Sequence, residues 1–247
     1  MSAALDFPAV RSPRIGLRPC ATCSVRRASV CDAIPEPDLD RLGGSAIGGV
    51  ARPGTLFVEE GDLATAFFNI TSGTARLYKL LPDGRRQITG FASGGSFLGL
   101  AVSDTYAFSA EAIDTVRYCR FPRGRLRSLM RDFPLMEERL FKFASTELVV
   151  AQEQMLLLGR KSARERVASF LMAQSRVGAI DQRPLARFVL PMPRGDIADY
   201  LGLTIETVVR TLRKLRNEGM IEVTNTSDVV IRDRSSLRSL ANGSHGD

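Results

Sequence analysis

Histidine is nearly absent from this sequence. Its 247 residues contain one His, His245, two positions from the C-terminus, and no Trp. A catalytic or metal centre built on several imidazoles is therefore excluded. No stretch approaches the ~18 continuous apolar residues of a transmembrane helix. Pro8, Pro13 and Pro19 break up the N-terminus, where a secretory leader would need an apolar run. The expected location is cytoplasmic, with no membrane partner. Acidic side chains are in deficit, 27 against 34 Lys and Arg, for a net charge of +7. That balance points toward a polyanionic partner such as nucleic acid. Hydrophobic residues at 44% and charged residues at 25% support a packed core, and the length suits two domains better than one.

Thiols are also few, and three of the four are clustered: Cys20, Cys23 and Cys31, with Cys119 far downstream. In a reducing compartment such clusters more often bind metal or do redox work than form disulfides. Cys20 and Cys23 are close enough to share one centre, and a short loop can bring Cys31. Cys119 is the remaining thiol for a fourth position. Four thiolates suit zinc or an iron–sulfur cluster, and spacing does not choose between them. The plainer reading of Cys119 is a buried strand residue. Arg18, Arg26 and Arg27 flank the cluster, either offsetting its negative charge or forming a solvated basic surface.

Residues 1–33, rich in Pro, Arg and Ala, read as an irregular cysteine-containing arm, and a short helix is expected near 34–45. From Gly48 to Phe121, short β-branched and aromatic stretches alternate with glycine. The clearest strands are 66–70, 75–80, 87–91 and 115–121, with Asp83-Gly84 as a hairpin turn. Such spacing makes a sandwich or barrel-like β domain over 34–130.

Helical spacing is expected to start after Asp132 as N-cap, with Pro134 in the first turn. Phe141, Ala144, Leu148, Ala151, Met155 and Leu158 recur at heptad spacing. Leu140, Phe143, Val150 and Leu157 form a second stripe. One face can pack on the β domain while the other meets a twin helix, so 131–160 reads as a dimerisation helix and the protein as a homodimer. Gln152 and Glu153 lie beside the seam.

A helix over 163–175 and a loop around Gly178–Pro184 introduce a third region, 161–247. Gly195-Asp-Ile-Ala-Asp-Tyr-Leu201, a Gly202-Leu203 turn and a Thr204-capped helix to Asn217 spell a helix-turn-helix. Ile197, Ala198, Leu201, Leu203, Val208 and Leu212 supply its buried positions. Arg210, Arg213, Lys214 and Arg216 face Glu206 alone in the second helix, making it basic. Residues 220–223 and 229–231 form a wing hairpin. The helix pair, its basic face and the wing together point to double-stranded DNA. The DNA-facing set is Glu206, Val209 and Arg210, with Thr204, Thr207 and Arg213. Glu206 suits a cytosine amino group and Arg210 a guanine edge or phosphate. Four residues apart on one face, both can enter the same major groove and can also pair with each other.

In order, these parts are an arm with cysteines, a β-roll, a long connecting helix and a winged helix-turn-helix. The sequence resembles the Crp/Fnr family of transcription regulators, and within it the Fnr-like oxygen sensors of the FnrN/FnrL type. The resemblance rests on Gly195–Arg210, Gln87-Ile-Thr-Gly-Phe91, Gln154-Met-Leu-Leu-Leu158 and the Cys-x2-Cys-x7-Cys arm with a remote Cys. It implies an α+β fold with an N-terminal β-roll like that of cyclic-nucleotide-binding domains. It implies a [4Fe-4S] cluster on Cys20, Cys23, Cys31 and Cys119, whose loss in oxygen weakens the dimer and releases DNA. It also implies TTGAT-like two-fold half-sites, RNA polymerase as a partner and no enzymatic activity. The alternative is a regulator of the same fold whose thiols bind zinc or respond to oxidants directly. Gly94-Gly-Ser-Phe-Leu-Gly99 and Tyr106-Ala-Phe-Ser109 lack the Glu and Arg of the family's nucleotide pockets, so no cyclic nucleotide is expected. Three positions depart from the family pattern. Val209 stands where Fnr-like members have Ser. Arg85 replaces an acidic residue in an activation loop. Neutral Gln152 replaces an acidic residue on the dimer helix and is expected to tighten the cluster-free dimer.

Overall fold

A computed structural model describes residues 20–100, 104–177, 187–225 and 227–243. Pro8, Pro13, Arg18, Pro19, the loop at 178–184 and His245 lie outside the described residues.

The arm enters through 3-10 turns at Arg26–Ala28, Val30–Ala33 and Glu36–Asp38, followed by helix α1 (Leu39–Ser45). Eight strands follow: β1 (Ile47–Ala51), β2 (Leu56–Val58), β3 (Ala66–Ser72), β4 (Ala75–Leu80), β5 (Arg86–Ala92), β6 (Phe97–Leu98), β7 (Ser109–Ala112) and β8 (Val116–Pro122). They form two four-stranded antiparallel sheets, ordered β1-β8-β3-β6 and β2-β7-β4-β5. The expected strands at 66–70, 75–80 and 87–91 fall within β3, β4 and β5, and that at 115–121 matches β8 apart from Thr115, which lies just before it. The Asp83-Gly84 signal makes the β4–β5 turn, where Gly84 takes a φ of +84°.

Between the sheets, alanines at 75, 92, 110 and 112 oppose Phe68, Ile70 and Val116. Phe57, Phe68, Tyr106 and Tyr118 are in ring contact there, with Phe57 stacked on Tyr118 at 5.3 Å. Tyr106 Oη donates to Ala66 O at 2.8 Å. Strand β3 does not alternate cleanly between buried and exposed residues because both its faces are covered. Its outer face joins a second core with Val30, Cys31, Ile34, Leu39 and Leu42.

After β8 comes a helix that the sequence reading missed, α2 (Arg123–Asp132). Leu126 and Leu129 face the second core, and arginines fill much of the rest. Asp132 therefore ends α2 and is not the N-cap of the next helix, a correction to the sequence expectation. The cap of α3 (Pro134–Arg160) is Phe133, and Pro134 occupies the first turn. The Asp132 carboxylate pairs with Arg41 instead.

Along α3, Phe141, Leu148 and Met155 are 75%, 61% and 71% exposed. The second stripe divides: Leu140 and Leu157 are buried, Phe143 is half-buried and Val150 is exposed. The chain then forms α4 (Ala163–Val177), β9 (Arg187–Val189), α5 (Arg194–Leu201), α6 (Ile205–Asn217), β10 (Ile221–Val223), β11 (Asp228–Ile231) and α7 (Arg234–Ala241). Strands β10-β11-β9 make the wing sheet. Its third strand β9 and helix α7 were not expected. Ile197, Ala198, Leu201, Val208 and Leu212 are buried as read, with Leu203 partly so. The fold is α+β: β-roll, long helix and winged helix-turn-helix.

Candidate thiolate centre and nucleic-acid interface

Cys20 lies in a turn, Cys31 in the 3-10 turn Val30–Ala33, and Cys119 in β8 opposite Gly48 and Asn69. Cys20, Cys31 and Cys119 join the core beneath the outer sheet face. Burial pushes the Cys31 thiol up to about 12, and the neighbouring charges of Cys119, Cys20 and Cys23 push the same way against the Ser29 hydrogen bond. Burial likewise raises Cys119 to about 11, with Cys20 and Cys23 adding to it. Cys20 is raised by burial and by Cys23, with Arg26 opposing. The four thiols thus lie within electrostatic reach of one another. No three His, Cys, Asp or Glu side chains among the described residues are gathered as a site for one metal ion. Gly43 leaves room beside them, since a Cβ there would lie 3.7 Å from Cys20 Sγ.

The arm is also tied to α3. Arg139 pairs with Asp32, the neighbour of Cys31, and donates to Arg27 O at 3.2 Å. Neither Asp32 nor Arg139 stood out in the sequence, because no local spacing links them.

In the helix-turn-helix, Gly202 takes the left-handed conformation at φ +60° that ends α5. Thr204 caps α6 by accepting from Thr207 N at 3.2 Å. Glu206, Val209, Arg210 and Arg213 are exposed on one stripe of α6, and Thr207 is half-buried. The expected Glu206–Arg210 pair is corrected. Arg210 Nη2 reaches Thr207 Oγ1 at 3.4 Å, while hydrogen bonds from Glu206's own N–H and the Thr204 hydroxyl lower the Glu206 carboxyl. The helix N-terminus draws that carboxylate back toward the cap. Beside α6, Arg194, Arg216, Asn225 and Ser227 line a cleft of about 510 Å³ under the wing.

The two domains meet through residues the sequence had marked only as motifs. Gln87 Nε2 donates to Asp199 O at 2.7 Å. Arg86 Nη2 bonds Asp196 Oδ1 at 2.9 Å and Asp199 Oδ2 at 2.7 Å, and Arg76 Nη1 bonds Asp196 Oδ2 at 2.8 Å. Phe91 contacts the rings of Tyr200 and Phe170. Gln154 Nε2 donates to Tyr200 O at 2.8 Å.

Residues 50–133 match the model of the cyclic nucleotide-binding domain, and residues 165–240 match that of the Crp-like helix-turn-helix domain. The nitrogen fixation regulation protein FixK of Bradyrhizobium diazoefficiens is 43% identical over 212 residues, covering 83% of this chain and 86% of the relative. The chain belongs to the Crp/Fnr family. The transcriptional activator protein FnrL of Cereibacter sphaeroides is 32% identical over 225 residues, 90% of this chain and 91% of that one. The solved structure of FixK2 from Bradyrhizobium japonicum superposes with a TM-score of 0.74 at 36% identity, covering 79% of this chain and 96% of that one. The protein is thus a Crp/Fnr-type transcription regulator with a DNA-binding helix-turn-helix. In this Crp/Fnr member the Gly94-Gly95 turn seats the cysteine arm. A Cβ on Gly94 would lie 3.0 Å from Val25 Cγ1, and one on Gly95 3.2 Å from Ala28 Cβ.

Proposed function

We propose that this Crp/Fnr regulator is an oxygen-responsive homodimer whose Cys20, Cys23, Cys31 and Cys119 hold a [4Fe-4S] cluster. The observation that carries the reading is that Cys31 and Cys119, with Cys20 beside them, come from two segments far apart in sequence and join one core. The donor set suits such a group: four sulfurs, three of them in an apolar surround. When bound, the cluster supplies an oxygen-labile cross-link between arm and sheet. This chain's residues do the rest. Asp32 carries the arm's position to Arg139, and the exposed face of α3 offers Phe141, Leu148 and Met155 to a second copy. Loss of the cross-link then shifts a monomer–dimer balance, and with it DNA occupancy.

Purification under argon tests this reading. About four iron and four sulfide per chain, with visible absorption bleached by air, are expected. A colourless protein with one zinc per chain overturns it in favour of the zinc or oxidant-responsive alternative.

On DNA, Glu206 and Arg210 read base edges within a TTGAT-like half-site, and Val209 packs on a thymine methyl. Binding-site selection is expected to show altered preference at the outer part of the half-site. An unchanged full Fnr consensus, with equal penalties at every position, contradicts the role of Val209. RNA polymerase is the further partner. Arg85 is exposed and pairs with Asp83 at 2.7 Å, so the β4–β5 tip offers that partner little net negative charge.

A further inference from the structure

Asn69 lies on β3 directly opposite Cys119 of β8, and on its other side it pairs with Phe97 of β6. Residues opposed across antiparallel strands project to one face, so the Asn69 side chain shares the face of Cys119 and Phe97. Phe97 and Cys119 belong to the core that contains Cys20 and Cys31. Asn69 is 1% exposed, and its Oδ1 has no hydrogen-bond partner among the described residues. A carboxamide oxygen removed from water and left unpaired is costly, and an apolar strand residue here would avoid that cost.

Resting on the thiolate-centre reading, we infer that Asn69 is a positioning residue for that centre, donating a hydrogen bond to the sulfurs gathered at Cys119. A half-turn about χ2 exchanges the carboxamide oxygen for an amino group with two N–H donors. A neutral thiol rewards such a donor weakly, whereas a thiolate accepts a charge-assisted bond. The amide therefore suits the ligating form of Cys119 and is poorly served by the free thiol. A donor at this place holds negative charge on the sulfurs and slows ligand loss.

The test compares full-length wild type, Asn69→Leu and Asn69→Ser, each reconstituted under argon with iron and sulfide. Asn69→Leu is expected to melt at the same or a higher temperature as apo-protein. Once loaded, it should surrender iron to a chelator about tenfold faster than wild type. Asn69→Ser keeps a hydroxyl donor and should recover part of that lifetime. Opposite effects on the two forms are beyond a purely structural role. Equal stripping rates in wild type and Asn69→Leu overturn the inference alone, as does parallel destabilisation of the apo and loaded forms. A wild type that takes up no iron and sulfide overturns the cluster reading and this inference with it.

Discussion

Arg139 of the long helix holds Asp32, the residue that follows Cys31, and so joins the cysteine arm to the helix whose Phe141, Leu148 and Met155 are exposed. The pair is partly exposed, with side chains 30% and 38% accessible, so its own stabilisation is about 0.2–1 kcal/mol. Its importance is positional. Replacing Arg139 and Asp32 by Ala, singly and together, is expected to give a coupling energy in that small range by urea unfolding. The same substitutions should weaken dimerisation of the metal-loaded protein several-fold in sedimentation while leaving the apo-protein unchanged. Equal weakening of both forms counts against the link.

The seam residues of α3 are accessible in the single chain. Phe141→Glu or Leu148→Glu should therefore leave the monomer's melting temperature within a few degrees, because surface substitutions cost about 0.5 kcal/mol or less. In a coiled-coil seam the same carboxylates face each other, and the dissociation constant should rise by about two orders of magnitude, roughly 2.7 kcal/mol. Sedimentation of either variant as an unaltered dimer contradicts this packing.

The buried thiols give the apo-protein an alkaline limit. Cys31 and Cys119 are held near 12 and 11, above the ordinary value of 9.0. As pH rises past 9 the unfolded chain loses thiol protons that the folded chain keeps, so folding stability falls until the folded thiols ionise as well. Urea unfolding of apo-protein between pH 8 and 11 should show a steeper decline for wild type than for the Cys31→Ser, Cys119→Ser double variant. Metal binding needs thiolates, so uptake should release protons and strengthen with pH. Parallel stability curves remove the basis of this prediction.

Asp196 sits at the domain junction with a side chain only 4% exposed, held by Arg76 and Arg86. Burial opposes the Arg76 charge, but its hydrogen bonds to the Glu111 and Asp196 carboxylates outweigh it and raise its pKa. Asp196→Ala removes one carboxylate from each guanidinium, leaving Glu111 on Arg76 and Asp199 on Arg86, and should cost about 1.5–3 kcal/mol by urea unfolding. It should also speed proteolysis between the domains. A loss below about 0.5 kcal/mol would place the junction's strength in the Phe91, Phe170 and Tyr200 contacts instead.

Local chemistry was legible in the sequence. The β4–β5 turn, the Gly202 turn, the Thr204 cap and the α3 stripes all depend on neighbours within a turn or two, and periodicity records such neighbours. Helix α2 escaped because its arginines hid two buried leucines, and that omission led to Asp132 being read as a cap. The sequence also determined the number of thiols and the basic recognition helix. Only the folded chain decided that Cys20, Cys31 and Cys119 share one core, that Asn69 lies opposite Cys119, that Arg139 turns to Asp32, and that the Gln87 and Asp196 motifs touch. Each of those relationships joins residues distant along the chain, and strand register and domain docking bring them together. Spacing in one dimension carries no record of contacts that depend on the third.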